Sequence, residues 1–157
     1  MKPLISDGLV EVLMNQWSHE RYNAGLYLYI ASFLEGKGLS NLSKLFRSQH
    51  DEEIGHSKII FDLLSDLNVV VDIPSVEGCN MPINSIGDIA KMYFEREVLT
   101  TESLTEIRNM AMEEGNGIVE EKIRETISLQ QHEMAESTEF YDKSELTGGN
   151  WQFAHLS

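Results

Sequence analysis

The sequence predicts an all-α fold: a four-helix bundle with one long crossover. Three observations predict it. Prolines stand only at positions 3, 74 and 82, so two long stretches are free of helix breakers. Both stretches repeat their apolar residues at helical rather than alternating spacing. Each is divided once by paired glycines, at Gly36 and Gly38 and at Gly115 and Gly117. At 157 residues, 41% of them hydrophobic, the chain is long enough for one domain, 1–157, with a real core.

The first helix starts after Ser6, a good N-cap, and runs to about residue 35. Leu13, Glu20, Tyr27 and Leu34 fall on one seven-residue line, with Leu9, Gln16, Asn23 and Ile30 beside it. The second helix runs from about Ser40 to 67. Phe46, Glu53, Ile60 and Leu67 form one line, and Leu42, Gln49, His56 and Leu63 the next. Glu53 and His56, three apart, point the same way.

Residues 68–84 break the pattern with Val69-Val70-Val71, two prolines and Gly78. The stretch reads as an extended connection whose start, Val69 to Ile73, is expected to pair as a short strand with a partner chain. At about 3.3 Å per residue it reaches roughly 55 Å, more than the roughly 42 Å of a 28-residue helix. It can return the chain to its starting end, which makes the second and third helices parallel.

The third helix covers about 85–114 and opens on Ser85 with Asp88 three residues on, a variant of the capping box. Ala90, Glu97, Leu104 and Ala111 form its inner line. The fourth covers about 117–146, with Ile127, Gln131, Met134 and Tyr141 expected on its inner face. Trp151, Phe153 and Leu156 are expected to anchor the tail.

Glu20, Glu53, Glu97 and Gln131 each lie near the middle of their helix, so they should meet at one level. Unpaired buried carboxylates cost several kcal/mol each, and like charges repel further. Arg21 and Arg96 stand elsewhere on the helical wheel, so no basic residue neutralises the layer. A divalent metal site is the economical reading. The donors are carboxylates, one imidazole and one amide, with no thiolate, which suits hard-to-borderline cations. Glu53 is placed to bridge two of them.

These residues resemble those of the ferritins. The stretch Glu20-Arg21-Tyr22-Asn23-Ala24-Gly25-Leu26-Tyr27-Leu28 is similar to the first-helix signature, and Gln49-His50-Asp51-Glu52-Glu53-Ile54-Gly55-His56 to the second. The resemblance covers about residues 5 to 146. It implies a ferritin-like bundle with a ferroxidase centre for two iron ions per subunit. Glu20, Glu53 and His56 would hold the first iron and Glu53 and Glu97 the second, with Gln131 assisting. Tyr27 matches the tyrosine that is a candidate electron donor in the family. Glu52 and Glu133 match members of a further, third iron site, and Glu121 an acidic entry pore in which Arg124 stands where a second acid is common. Fe(II) would be oxidised by O2 or H2O2 and stored as an iron(III) mineral in a homo-oligomeric shell, first of all a 24-subunit cage. The short stretch after Gly149 leaves no room for a full fifth helix, so altered four-fold pores are expected. Ile54 stands where bacterioferritins carry a haem-ligating Met, so no haem is expected.

The remaining composition excludes other classes. The net charge of −14 argues against nucleic acid and anionic membranes. No run of about 18 apolar residues occurs. With one cysteine, Cys79, and no apolar leader at the start, the expected location is cytoplasmic. A di-iron peroxidase or oxygenase that stores nothing would use the same ligands and is the alternative. A purely structural cage subunit would not need them. His19, His50, His132 and His155 are expected at the surface or beside the ligands, Cys79 as an inert loop thiol and the methionines as core filler.

Overall fold

The computed structural model describes residues 1–151, so Phe153, His155 and Leu156 lie outside the described residues. Four helices account for most of the chain: α1 Asp7–Gly36, α2 Ser40–Asp66, α3 Ile86–Glu113 and α4 Gly117–Leu146. Each end has a local cause. Ser6, Ser85 and Asn116 accept a backbone N–H at the starts of α1, α3 and α4. Leu39, not Ser40, occupies the cap of α2 and has no side-chain bond there. All four helices stop at a residue of positive φ: Gly38, Asn68, Gly115 and Gly148. There the chain turns so that Leu39 N–H bonds Leu34 O, Val69 N–H bonds Leu64 O, Asn116 N–H bonds Ala111 O and Gly149 N–H bonds Ser144 O.

α1 packs along α2 and α3 along α4 as two hairpins, and α1 also packs on α3; α2 touches α4 only lightly. At one end, Leu4 N–H bonds Leu67 O, and Asn116 Nδ2 bonds Leu4 O. The start of α1, the end of α2 and the α3–α4 turn therefore lie together. At the other end Gly87 N–H bonds Gly149 O, and Trp151 stacks on Phe33. Gly87 and Gly149 approach so closely that a Cβ on Gly87 would sit 3.3 Å from the Cα of Gly149.

The connection between α2 and α3 travels the whole bundle. Val69, Val71 and Val76 pack on the core near the first end, while Cys79, Met81 and Ile83 pack on the core near the second. Tyr29 holds it there by donating its hydroxyl to Met81 O at 2.5 Å. Among the described residues no strand forms; Val70 stays exposed and its neighbours Val69 and Val71 turn to the core.

The interior is two apolar blocks with a polar layer between them. One block gathers Leu9, Leu13, Leu64, Leu104 and Ile123; the other gathers Tyr27, Ile30, Phe46, Tyr93 and Phe140. Between them lie the buried polar residues Gln16, Glu20, Asn23, Gln49, Glu53, His56, Glu97, Thr100, Gln130 and Glu133.

Candidate metal centre

Each helix brings its polar residues inward on the same heptad lines that bring its apolar ones. On α1 the line Leu13–Glu20–Tyr27–Leu34 is buried throughout, and on α2 so is Phe46–Glu53–Ile60–Leu67. Glu97 sits between Ala90 and Leu104 on α3. Burial of the apolar members fixes the carboxylates where they could not go alone.

Two groups of donors result. Glu20, Glu53 and His56 bring one ligand atom each within 4.8 Å of one another, and so do Glu53, Glu97 and Glu133. Glu53 belongs to both. His56 Nδ1 lies 3.7 Å from Glu20 Oε2 and 3.7 Å from Glu53 Oε2, while its Nε2 lies 3.2 Å from Glu133 Oε1. Glu97 accepts from Tyr27 Oη at 2.6 Å on one oxygen and from Gln130 Nε2 at 2.6 Å on the other. Glu20 Oε1 accepts from Gln16 Nε2 at 2.7 Å.

Other atoms have no such partner. Glu20 Oε2, both oxygens of Glu53, Glu133 Oε2 and Gln130 Oε1 are buried without a hydrogen bond among the described residues. Such atoms are rare in folded proteins because each forfeits its solvation. Here they converge, and a cation would satisfy them together. The donor set is hard, with one borderline nitrogen, and fits iron or a similar divalent ion.

The protonation pattern follows from the crowding. Burial, with Glu20 close by, raises Glu53 well above the usual carboxylate range. Burial also raises Glu97, and it lifts Glu133 to about 10 with help from a hydrogen bond to Glu52. For Glu20 the burial effect is outweighed by its close neighbours Glu53 and His56, so its pKa is lowered. Burial opposes the charged form of His56, but the Glu20 carboxylate beside it wins and raises it. Glu20 and Glu53 titrate as a pair, with the proton on Glu53. Protons on the raised carboxylates thus offset the crowding of the metal-free centre, and a cation must displace them.

Of the residues expected from sequence, Glu20, Tyr27, Glu53, His56 and Glu97 are brought together, and Gln131 is not. Gln131 is exposed and lines an outer groove between α3 and α4 with Thr101, Met134 and Thr138. The inner face of α4 is one residue earlier. Val119, Thr126, Glu133 and Phe140 form one buried line and Ile123, Gln130, Ser137 and Ser144 the other. Ile127, Met134 and Tyr141 lie half-buried on the flank. The apolar residues of α4 sit beside its inner face rather than on it, which is why their spacing misleads. The usable signal was at the ends, where Val119, Ile123 and Phe140 are apolar on both true lines.

The corrected register places Gln130 where Gln131 was expected. It also places Glu133 inside the second donor group rather than in a separate outlying one. Glu52 is half-buried beside it. His19 is not a plain surface group either. Its Nε2 lies 2.6 Å from Thr100 Oγ1 and its Nδ1 2.8 Å from Arg96 Nη2. Arg96 Nε also donates to Asn23 Oδ1 at 2.7 Å, so a closed polar knot joins α1 to α3 beside the centre. Burial and the Arg96 charge lower the His19 pKa to about 4.

Comparison with known proteins agrees with this architecture. Residues 10–147 match the family model for the ferritin-like domain. Ferritin BfrB of Mycolicibacterium smegmatis is 27% identical over 124 residues, covering 79% of this chain and 68% of that protein. Among solved structures, an open pore ferritin from the hyperthermophilic archaeon Archaeoglobus fulgidus superposes with a TM-score of 0.89 at 30% identity, covering 94% of this chain and 90% of that one. Chlorobium tepidum ferritin shares the fold, with a TM-score of 0.89 at 19% identity over 98% of this chain and 93% of that one.

Proposed function

The chain belongs to the ferritin family, and we propose that it binds Fe(II) as substrate in the polar layer, oxidises it and stores the product. The observation that carries the proposal is Glu53. Both its oxygens are buried and unpartnered among the described residues, at the junction of the two donor groups. That is the arrangement a carboxylate bridging two ions requires.

In this reading Glu20, Glu53 and His56 take the first Fe(II), and Glu53, Glu97 and Glu133 the second. Gln130 holds Glu97 by its 2.6 Å hydrogen bond and keeps its own side-chain carbonyl oxygen buried without a hydrogen bond among the described residues. Two Fe(II) ions give two electrons to O2, which leaves with two protons as hydrogen peroxide; with peroxide as oxidant, the same two electrons and two protons yield water. Protons displaced from Glu53 and Glu133 on binding are available for that step. The charge balance favours turnover. Four carboxylates neutralise two Fe(II) ions, and oxidation leaves the centre with two excess positive charges. Iron(III) is therefore released toward a mineral store.

The store is a shell of copies of this chain, and the similarity to cage-type ferritins makes 24 subunits with open pores the first expectation. Arg124 pairs with Glu120, which Arg108 also contacts, while Glu121 lies in a groove with Asp62, Asp66, Glu125 and Lys122. No described helix is long and apolar enough to cross a membrane.

Fe(II)-dependent oxygen uptake, followed by iron content and mass from light scattering, tests the proposal. Uptake well above the buffer rate, mineral retention in a large assembly, and loss of uptake in Glu53→Ala and His56→Ala are expected. Uptake at the buffer rate refutes the oxidation reading. Turnover of peroxide by a small oligomer that keeps no iron refutes the storage reading.

A further inference from the structure

We propose that Gln16, held in place by Ser103, is a positioning residue that makes Glu20 a one-oxygen ligand and so sets the metal preference of the first site. The proposal rests on the two-site reading above. Gln16 stands one helical turn before Glu20 on α1 and is 2% exposed. Its Nε2 donates to Glu20 Oε1 at 2.7 Å, and its Oε1 accepts from Ser103 Oγ of α3 at 2.5 Å. A buried amide can be turned either way, but here only one orientation works. Reversed, the amide oxygen would face the carboxylate with no proton between two acceptors. Ser103 reinforces the choice. Its hydroxyl has two acceptors in reach, Gln16 Oε1 at 2.5 Å and Thr100 O at 3.1 Å, and the shorter contact takes the proton.

The consequence falls on Glu20. One of its oxygens is engaged by Gln16. The other is buried, has no hydrogen bond among the described residues and faces His56 Nδ1 at 3.7 Å. Glu20 therefore presents a single oxygen to the ion that Glu53 and His56 would share. A carboxylate free to rotate can chelate with both oxygens, which suits large oxygen-seeking ions such as Ca²⁺ or a lanthanide. A single oxygen beside an imidazole suits smaller transition ions and leaves positions open. Gln16 also lines a groove of about 400 Å³ on the outer α1–α3 face with Val12, His19 and Ser103.

Gln16→Met keeps the length of the side chain and removes both hydrogen bonds. Co(II) and Tb(III) titrations of the assembled protein read the effect, with hyperfine-shifted imidazole signals identifying Co(II) at His56. Loss of such a supporting contact weakens metal binding by about 10–100-fold. We expect that loss for Co(II) at the His56 site alone, no change at the Glu97–Glu133 site, and a shift of preference toward Tb(III). Ser103→Ala should move the same way, and Ser103→Thr, which keeps the hydroxyl, should behave as the native protein. Co(II) affinity at the His56 site within about two-fold of native overturns the proposal, as do equal losses at both sites. If Gln16→Met does not assemble, the Ser103 pair decides: equal behaviour of Ala and Thr overturns it. Native protein that binds no Co(II) overturns the two-site reading itself, whereas native binding with unmoved variants overturns only the role of Gln16.

Discussion

Glu133→Gln separates charge from shape at the centre. Glu133 is 3% exposed, and burial with its neighbours lifts its pKa from 4.5 to about 10. Glutamine keeps the volume, a donor toward Glu52 and an acceptor for His56, and removes the titration. The sign follows from linkage. A group whose pKa is raised on folding adds stability below its unfolded pKa and loses it as pH rises toward the folded value. In metal-free protein this group's contribution should fall by about 1.4 kcal/mol per pH unit above 4.5. Between pH 5.5 and 8.5 that is roughly 4 kcal/mol, or about 8–16 °C in Tm for a chain of this length. Thermal unfolding of chelator-treated protein at fixed concentration reads it. The native Tm should decline with pH, and the Glu133→Gln decline should be shallower by one proton's worth, since Glu53 and Glu97 remain. Zn(II) binding at pH 8, followed with a pH indicator, should release one proton fewer from the variant. Parallel Tm curves and equal proton release would refute the assignment of a protonated Glu133 to the centre.

The register of α4 has its own test: Gln130→Leu should lower Fe(II) oxidation, because Glu97 Oε2 loses its 2.6 Å donor, whereas Gln131→Leu on the exposed face should leave it unchanged. Tyr27→Phe deletes the 2.6 Å bond to Glu97 within the apolar block; metal-free Tm should fall by roughly 3–8 °C, and any tyrosyl radical signal during oxidation should vanish from electron paramagnetic resonance spectra. His19, with its pKa lowered to about 4, supports folding above its unfolded value of 6.5 and loses that support as pH falls toward 4. The difference amounts to about 3 kcal/mol over the window, and His19→Gln should remove that acid-side loss in a comparison of unfolding curves.

The first three helices were legible because their inner lines alternate carboxylates with large apolar residues. Leu13 and Leu34 flank Glu20 and Tyr27, Phe46 and Ile60 flank Glu53, and Ala90 and Leu104 flank Glu97. Each line is apolar enough that a heptad count finds it. The crossover was legible from its length and prolines. What sequence could not supply was the reach of side chains between helices. Arg96 stands off the inner lines on a helical wheel, yet its guanidinium folds back to His19 and Asn23 and stacks over Tyr22 at 4.6 Å. Gln16 looked like one more polar residue on a buried stripe until Ser103, far along the chain, gave its amide a direction.

The failure on α4 has a physical origin that bears on the site. The two lines of α4 that face inward carry Thr126, Gln130, Glu133, Ser137 and Ser144, and only Val119, Ile123 and Phe140 are apolar. A helix so polar on its inner face gains little by burial, and α4 packs far more lightly against α2 than against α3. Apolar packing alone therefore ties α2 and α4 together weakly at mid-height. What spans that gap is polar: Gln49 Nε2 to Glu136 Oε2 at 3.0 Å, and His56 Nε2 to Glu133 Oε1 at 3.2 Å. The same seam holds the second donor group, with Glu53 on one side and Glu133 on the other. Filling it with leucines would have made α4 easy to read and the bundle tighter. It would also have removed Gln130 and Glu133, and with them the partner of Glu97 and one donor of the second group. The helix that hydrophobic periodicity misplaces is the one whose inner face is given over to the site.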